Sequence, residues 1–71
     1  MMFEKNYYYE LYYGSELLRD SSSLDDYYET EDEAYEEAVI DRDYRIEMWK
    51  LDDAWHEWDS IEEFDIVIKE A

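Results

Sequence analysis

The chain has no cysteine and no proline, a single glycine, a single histidine and few basic side chains among its 71 residues. Without cysteine, neither a disulfide framework nor a thiolate metal site is possible. That absence fits a reducing compartment such as the cytoplasm. His56 has no second histidine or cysteine at ligand spacing, so no metal site is expected of it. Its simplest role is a loop side chain packed between Trp55 and Trp58. Asp41-Arg42-Asp43 lacks the glycine and the terminal glutamate of a calcium loop. There is no glycine-rich phosphate loop, and no serine sits in a nucleophile-elbow context. Pairs of carboxylates are inevitable with 23 acidic residues, so no pair by itself marks catalysis. The expectation is a protein with no enzymatic activity, no cofactor and no metal. No apolar run approaches the roughly 20 residues needed to cross a bilayer. Residues 1–6 have no apolar core of the kind a signal peptide carries.

What is present is negative charge and aromatic rings. Asp and Glu number 23 against six Lys and Arg, for a net charge of −17. Phosphates repel such a chain, which argues against direct binding to nucleic acid or anionic lipid and for a basic protein partner. Acidic chains poor in aromatics stay disordered. Here 20% of the residues are aromatic, with nine Tyr, three Trp and two Phe. Rings that each bury about 150–250 Å² are enough to fold one small domain spanning residues 1–71.

The acids are unevenly spread. Residues 20–37 carry nine acids and no base, and residues 52–65 carry seven acids and no Lys or Arg. Between them, Arg42, Arg45 and Lys50 balance Asp41, Asp43 and Glu47.

The pattern predicts a ββαβ domain of the α+β class. Tyr7 to Tyr13 alternates at period two, with Tyr7, Tyr9, Leu11 and Tyr13 on one face. Gly14-Ser15 is a hairpin signal. Glu16 to Asp20 is the return strand, with Leu17 and Leu18 as its apolar content. Ser21-Ser22-Ser23 reads as a loop. Thr30 and Glu33 form a capping box that opens a helix from Glu31 to about Lys50. Tyr35, Ala38, Val39, Ile46 and Trp49 are its apolar stripe. The stretch 44–48 also alternates like a strand, which is the competing reading. Asp52 to Ser60 is a loop, and Phe64 to Lys69 a last strand with Phe64, Ile66 and Ile68 on one face. The simplest closure is a three-stranded antiparallel sheet of order 2-1-3 with the helix across one face.

Functionally, the two base-free blocks are the informative feature. The first places Asp25, Asp26, Glu29, Glu31, Asp32, Glu33, Glu36 and Glu37 around the helix entrance. The second places Asp52, Asp53, Glu57, Asp59, Glu62 and Glu63 around the tryptophan loop. Together they are expected to form an outward anionic surface. Glu33 and Glu37 lie about 6 Å apart along the axis. Arginines that grip phosphate accept carboxylate as well. More rings are present than so small a core can bury, so several of Tyr8, Tyr12, Tyr27, Tyr28, Trp55 and Trp58 should stay partly exposed. Tyr27, Tyr28 and Trp58 then serve beside the acids as stacking contacts for arginine.

In size and composition the chain resembles small, acidic, phage-encoded anti-defence proteins, including anti-CRISPR inhibitors and other DNA mimics. The stretch from Met48-Trp49-Lys50 through Ala54-Trp55-His56-Glu57-Trp58-Asp59 to Phe64-Asp65-Ile66 is similar to small phage reading frames of Gram-positive hosts. The resemblance implies an inhibitor in the host cytoplasm, and charge repulsion argues against large self-contacts, so a monomer or weak homodimer is expected. It would occupy the DNA- or PAM-binding groove of an RNA-guided nuclease, a channel lined with positive charge. A restriction enzyme is an equally physical target. The alternative is an interaction module or phage accessory subunit recognised through Tyr8, Tyr12 and the tryptophan loop.

Overall fold

The computed structural model describes residues 6–71. The stretch read above for a targeting signal lies outside them, apart from Asn6. Three strands, β1 (Tyr7–Tyr13), β2 (Glu16–Asp20) and β3 (Phe64–Glu70), form an antiparallel sheet of order β2-β1-β3. One helix, α1 (Glu31–Leu51), lies across the sheet. This is the expected α+β architecture, and residues 44–48 are helical.

Alternation places the core. Across β1 and β3 the inward pairs are Tyr9↔Ile68, Leu11↔Ile66 and Tyr13↔Phe64. Tyr9, Leu11 and Phe64 are buried, and α1 adds Ala34, Ala38 and Ile46. Small residues at 34 and 38 let the helix approach the sheet. Large rings fill its far end, where Tyr13, Trp49, Trp55 and Phe64 meet at centroid distances of 4.9–6.4 Å. Tyr35 and Val39 do not join this core. Tyr35 is exposed and Val39 only half-buried, because the inward line runs through Ala34, Ala38 and Ile46 instead.

A bulge re-aims β2. Tyr12 pairs with Leu17 but Leu11 pairs with Arg19, so Leu18 is the extra residue. Leu18 packs against the core while Leu17 stays exposed. Such an insertion flips the facing of every residue beyond it. Arg19 therefore shares the helix side with Leu11 and reaches Asp41 of α1 at 3.3 Å. Asp41 also accepts from Arg45 Nε at 2.9 Å and from the Tyr9 hydroxyl at 2.8 Å. One carboxylate, with its side chain 11% exposed, thus ties together β1, β2 and α1.

The serine run is not an open loop. Ser21–Leu24 forms a 3-10 turn, and buried Ser21 accepts the Tyr9 N–H at 3.0 Å on its Oγ. Asp20 caps the turn by accepting from Ser22 N at 3.0 Å. The hydroxyl of Ser21 thereby replaces a strand partner that the backbone no longer supplies. Beyond it, Tyr28 and Tyr7 exchange backbone hydrogen bonds of 2.7 and 2.9 Å, an isolated bridge that extends the sheet edge.

Both ends of α1 are capped. Thr30 Oγ1 accepts from Glu33 N at 3.0 Å, and Glu33 Oε1 accepts from Glu29 N at 2.9 Å. At the other end, Asp53 N donates to Lys50 O and Ala54 N to Trp49 O, with Asp53 at φ 61°. That double bond with a left-handed residue is a Schellman motif, in which glycine is the usual occupant. Among the described residues no helix is long and apolar enough to cross a membrane.

Candidate functional site

The first acidic block surrounds the entrance to α1. Asp25, Asp26, Glu29, Glu31, Asp32, Glu33, Glu36 and Glu37 are all exposed. Glu31, Asp32 and Glu33 occupy the first helical turn, where the unsatisfied N–H groups favour negative charge. Asp25 sits at φ 60°, closing the 3-10 turn by donating its N–H to Ser22 O. This end of the molecule also holds Tyr7, joined to Tyr28.

The second block lies at the opposite end. Asp52 and Asp53 follow the last turn of α1. Glu62 and Glu63 lie in a 3-10 turn (Ile61–Glu63) started by Ser60, whose Oγ accepts from Glu62 N at 3.1 Å. Glu63 O accepts the Gly14 N–H at 2.9 Å, which fastens this segment to the β1–β2 hairpin. Asp52, Asp53, Glu57, Glu62 and Glu63 are exposed. The two blocks are therefore two poles, about 30 Å apart along a 21-residue helix, and not one continuous patch.

Asp59 does not belong to the outward set. Its carboxylate accepts from the Tyr13 hydroxyl and, at 2.8 Å, from the His56 backbone N–H. The hydrogen bond from Tyr13 is the main reason its carboxyl is held below the ordinary value, with that from His56 next. Asp59 is half-buried and organises the tryptophan loop. The same bond pushes Tyr13 up to about 12, with burial as a second cause.

The aromatic contacts divide in the same way. Trp58 is 75% exposed and stacks on His56 at 4.4 Å with the rings 2° from parallel. His56 does not lie between two tryptophans, because Trp55 packs on Trp49 and Phe64 in the core. Tyr27 is half-buried, edge-on to Tyr8 at 6.0 Å. Tyr28 is half-buried, stacks at 6.2 Å on Tyr9 and packs on the core.

Electrostatically, four of the cations, Arg19, Arg42, Arg45 and Lys69, are committed away from the poles, while Lys50 sits in the last turn of α1 beside the second pole. Arg19 and Arg45 hold Asp41, Arg42 holds Asp43, and Lys69 lies 3.7 Å from Glu10. Among the described residues, no exposed carboxylate of either pole is in an ion pair. Nor do three His, Asp or Glu side chains converge on a point that could hold a metal ion, among the described residues.

Comparison with known protein families, with characterised proteins and with solved structures finds no match for this chain.

One surface is absent from the reading by composition. Ile40, Tyr44, Met48 and Leu51 are 60%, 65%, 37% and 77% exposed along the outer side of α1. Their spacing of four, four and three residues is helical, so the sequence did contain the signal. It was hidden because the core-facing stripe shares the same period.

Proposed function

We propose that the chain is an acidic, non-enzymatic inhibitor acting in the host cytoplasm. It occupies the basic nucleic-acid groove of a bacterial defence nuclease, such as an RNA-guided CRISPR effector, and keeps DNA out. The observation that carries this reading is the division of charge. Among the described residues, the Lys and Arg side chains that form ion pairs are bound to Asp41, Asp43 and Glu10, and no exposed carboxylate of either pole is in one.

Free carboxylates suit a groove whose arginines bind phosphate through paired, charge-assisted hydrogen bonds. The distance between the poles is about nine base-pair steps of 3.4 Å. An elongated basic channel could thus engage both poles at once. Asp52 and Asp53 add support because they stand where the helix dipole disfavours negative charge. Carboxylates kept at such a position are better explained by an external cation than by folding.

The test is DNA binding by a guide-loaded nuclease, measured with a PAM-bearing duplex over a salt series. The expected result is competition by the protein that weakens steeply as salt rises. Combined Glu36→Lys and Glu37→Lys substitutions, which leave the Glu33 cap in place, should abolish competition while circular dichroism stays unchanged. Full competition by that variant would remove the proposal.

A further inference from the structure

Between the two poles, α1 turns a second apolar stripe outward. At 100° per residue, Ile40, Tyr44, Met48 and Leu51 fall within an arc of about 80°, whose centre is turned more than about 100° from Ala38, Ile46 and Trp49. Their exposed area is on the order of a few hundred Å², the size at which an apolar patch marks an interaction site. A helix packed on one sheet ordinarily keeps that side polar.

The stripe borders two grooves. One, of about 300 Å³, runs past Ile40 and Tyr44 to Tyr28 and Arg19. The other, of about 320 Å³, runs past Tyr44 and Met48 to Trp49 and Asp52. Tyr44 stands between them as a ridge. The firm Asp41 hub beneath, bonded to Arg19, Arg45 and Tyr9, joins the helix to the sheet at this point.

Charge selects the occupant. Glu36 and Glu47 are exposed on the solvent side of the stripe, with Glu37 and Asp52 at its ends, and none of the four is in an ion pair among the described residues. A second copy would bring the same acids against these and another −17 of charge. An anionic membrane would be repelled in the same way. We infer that the outer face of α1 docks a cationic amphipathic helix of a partner protein. Its apolar side would lie on Ile40, Tyr44, Met48 and Leu51, and its Lys or Arg side chains on the flanking glutamates. The mode is that of two helices laid side by side with i, i+4 and i+7 anchors. It does not depend on the groove reading, because its anchors are the apolar side chains of the stripe, although Glu36, Glu37 and Asp52 belong to both surfaces.

The experiment uses a synthetic Leu–Lys peptide of about 18 residues, five helical turns, with leucine on one face. A scrambled peptide of equal composition and charge is the control. Binding is followed by fluorescence anisotropy at about 0.15 M salt, where only short-range charge survives. The intact protein should bind the amphipathic peptide about tenfold tighter than the scrambled one, a clear preference of shape over charge. The double variant Ile40→Ser with Leu51→Ser should lose that preference and bind both peptides alike. Both side chains lie outside the core, so the circular dichroism spectrum should not change. If the double variant fails to fold, Leu51→Ser alone carries the same comparison. Equal binding of both peptides by the intact protein would overturn the proposal, and so would an undiminished preference in the variant. Sedimentation showing a dimer that the variant dissolves would assign the face to a second copy. Binding to phosphatidylcholine vesicles that the variant loses would assign it to lipid.

Discussion

Two tyrosines anchor the molecule through carboxylates that would oppose their ionisation. The Tyr9 hydroxyl donates to Asp41 inside the helix–sheet junction, and that of Tyr13 donates to Asp59 under the tryptophan loop. Tyr9 is raised well above its ordinary value, first by burial and then by its bond to Asp41. Tyr13 is raised to about 12, first by its bond to Asp59. In the unfolded chain both ionise near the ordinary value of about 10. Above that pH the unfolded state has fewer bound protons than the folded one, so stability falls as pH rises. The contribution is complete below about pH 10 and drains away as pH climbs toward the folded values. Urea unfolding midpoints should therefore hold steady up to about pH 9 and drop between about pH 10 and 12. Tyr13→Phe should start less stable but show a shallower drop. Equal slopes for the variant and the parent would show that Tyr13 is not one of the groups responsible. None of this was legible from composition. Tyr9 and Tyr13 were readable as inward by alternation, but their acidic partners are 32 and 46 residues away in sequence.

At the scale of elements, the readable parts were those governed by local rules. Period two marked β1, the only glycine marked the hairpin, and Thr30 with Glu33 marked the helix start, all within contact range of a few residues. The bulge at Leu18 was not readable, because Glu-Leu-Leu-Arg-Asp shows no break in pattern. Its cause is tertiary: only with Arg19 flipped inward does the guanidinium reach Asp41. Ser21 was misplaced in a loop for a similar reason, since its partner is the Tyr9 N–H across the sheet. The end of α1 was placed within one residue, yet its cap chemistry runs against local preference. Asp53 adopts φ 61° at the position glycine favours, beside the negative end of the dipole. Asp53→Gly relieves the left-handed penalty and one unfavourable charge together. It should raise unfolding stability by about 0.5–1 kcal/mol in chemical denaturation. An unchanged or lower stability would mean that Asp53 gains something from the fold that its geometry does not reveal. A stabilised variant with weakened target binding would place Asp53 among the carboxylates retained for a partner.

For the whole molecule, the governing fact is that folding concentrates charge it does not neutralise. Both poles gather exposed carboxylates within one or two helical turns or within a short loop, while Arg19 and Arg45 are spent on Asp41 at the junction of helix and sheet. Unfolding spreads those charges out, so self-repulsion acts against the native state. The screening length falls from about 10 Å at 0.1 M to about 3 Å at 1 M ionic strength, which spans the roughly 6 Å separation of Glu33 and Glu37. Sodium chloride should therefore stabilise this fold. If screening returns about 1 kcal/mol, the thermal midpoint rises by about 4–8 °C for a domain of this length. A variant with Glu36→Gln and Glu37→Gln, which leaves the Glu33 cap in place, should begin with a higher midpoint at low salt and gain less as salt is added. Binding to a basic target should move the opposite way, weakening over the same range. That opposition is what makes the comparison decisive, because lost binding at high salt cannot then be blamed on unfolding. A midpoint that stays flat or falls with salt would mean that the poles are not repelling in the folded state. Their carboxylates would then be countered by something within the chain, and no surplus would be left for a partner's arginines.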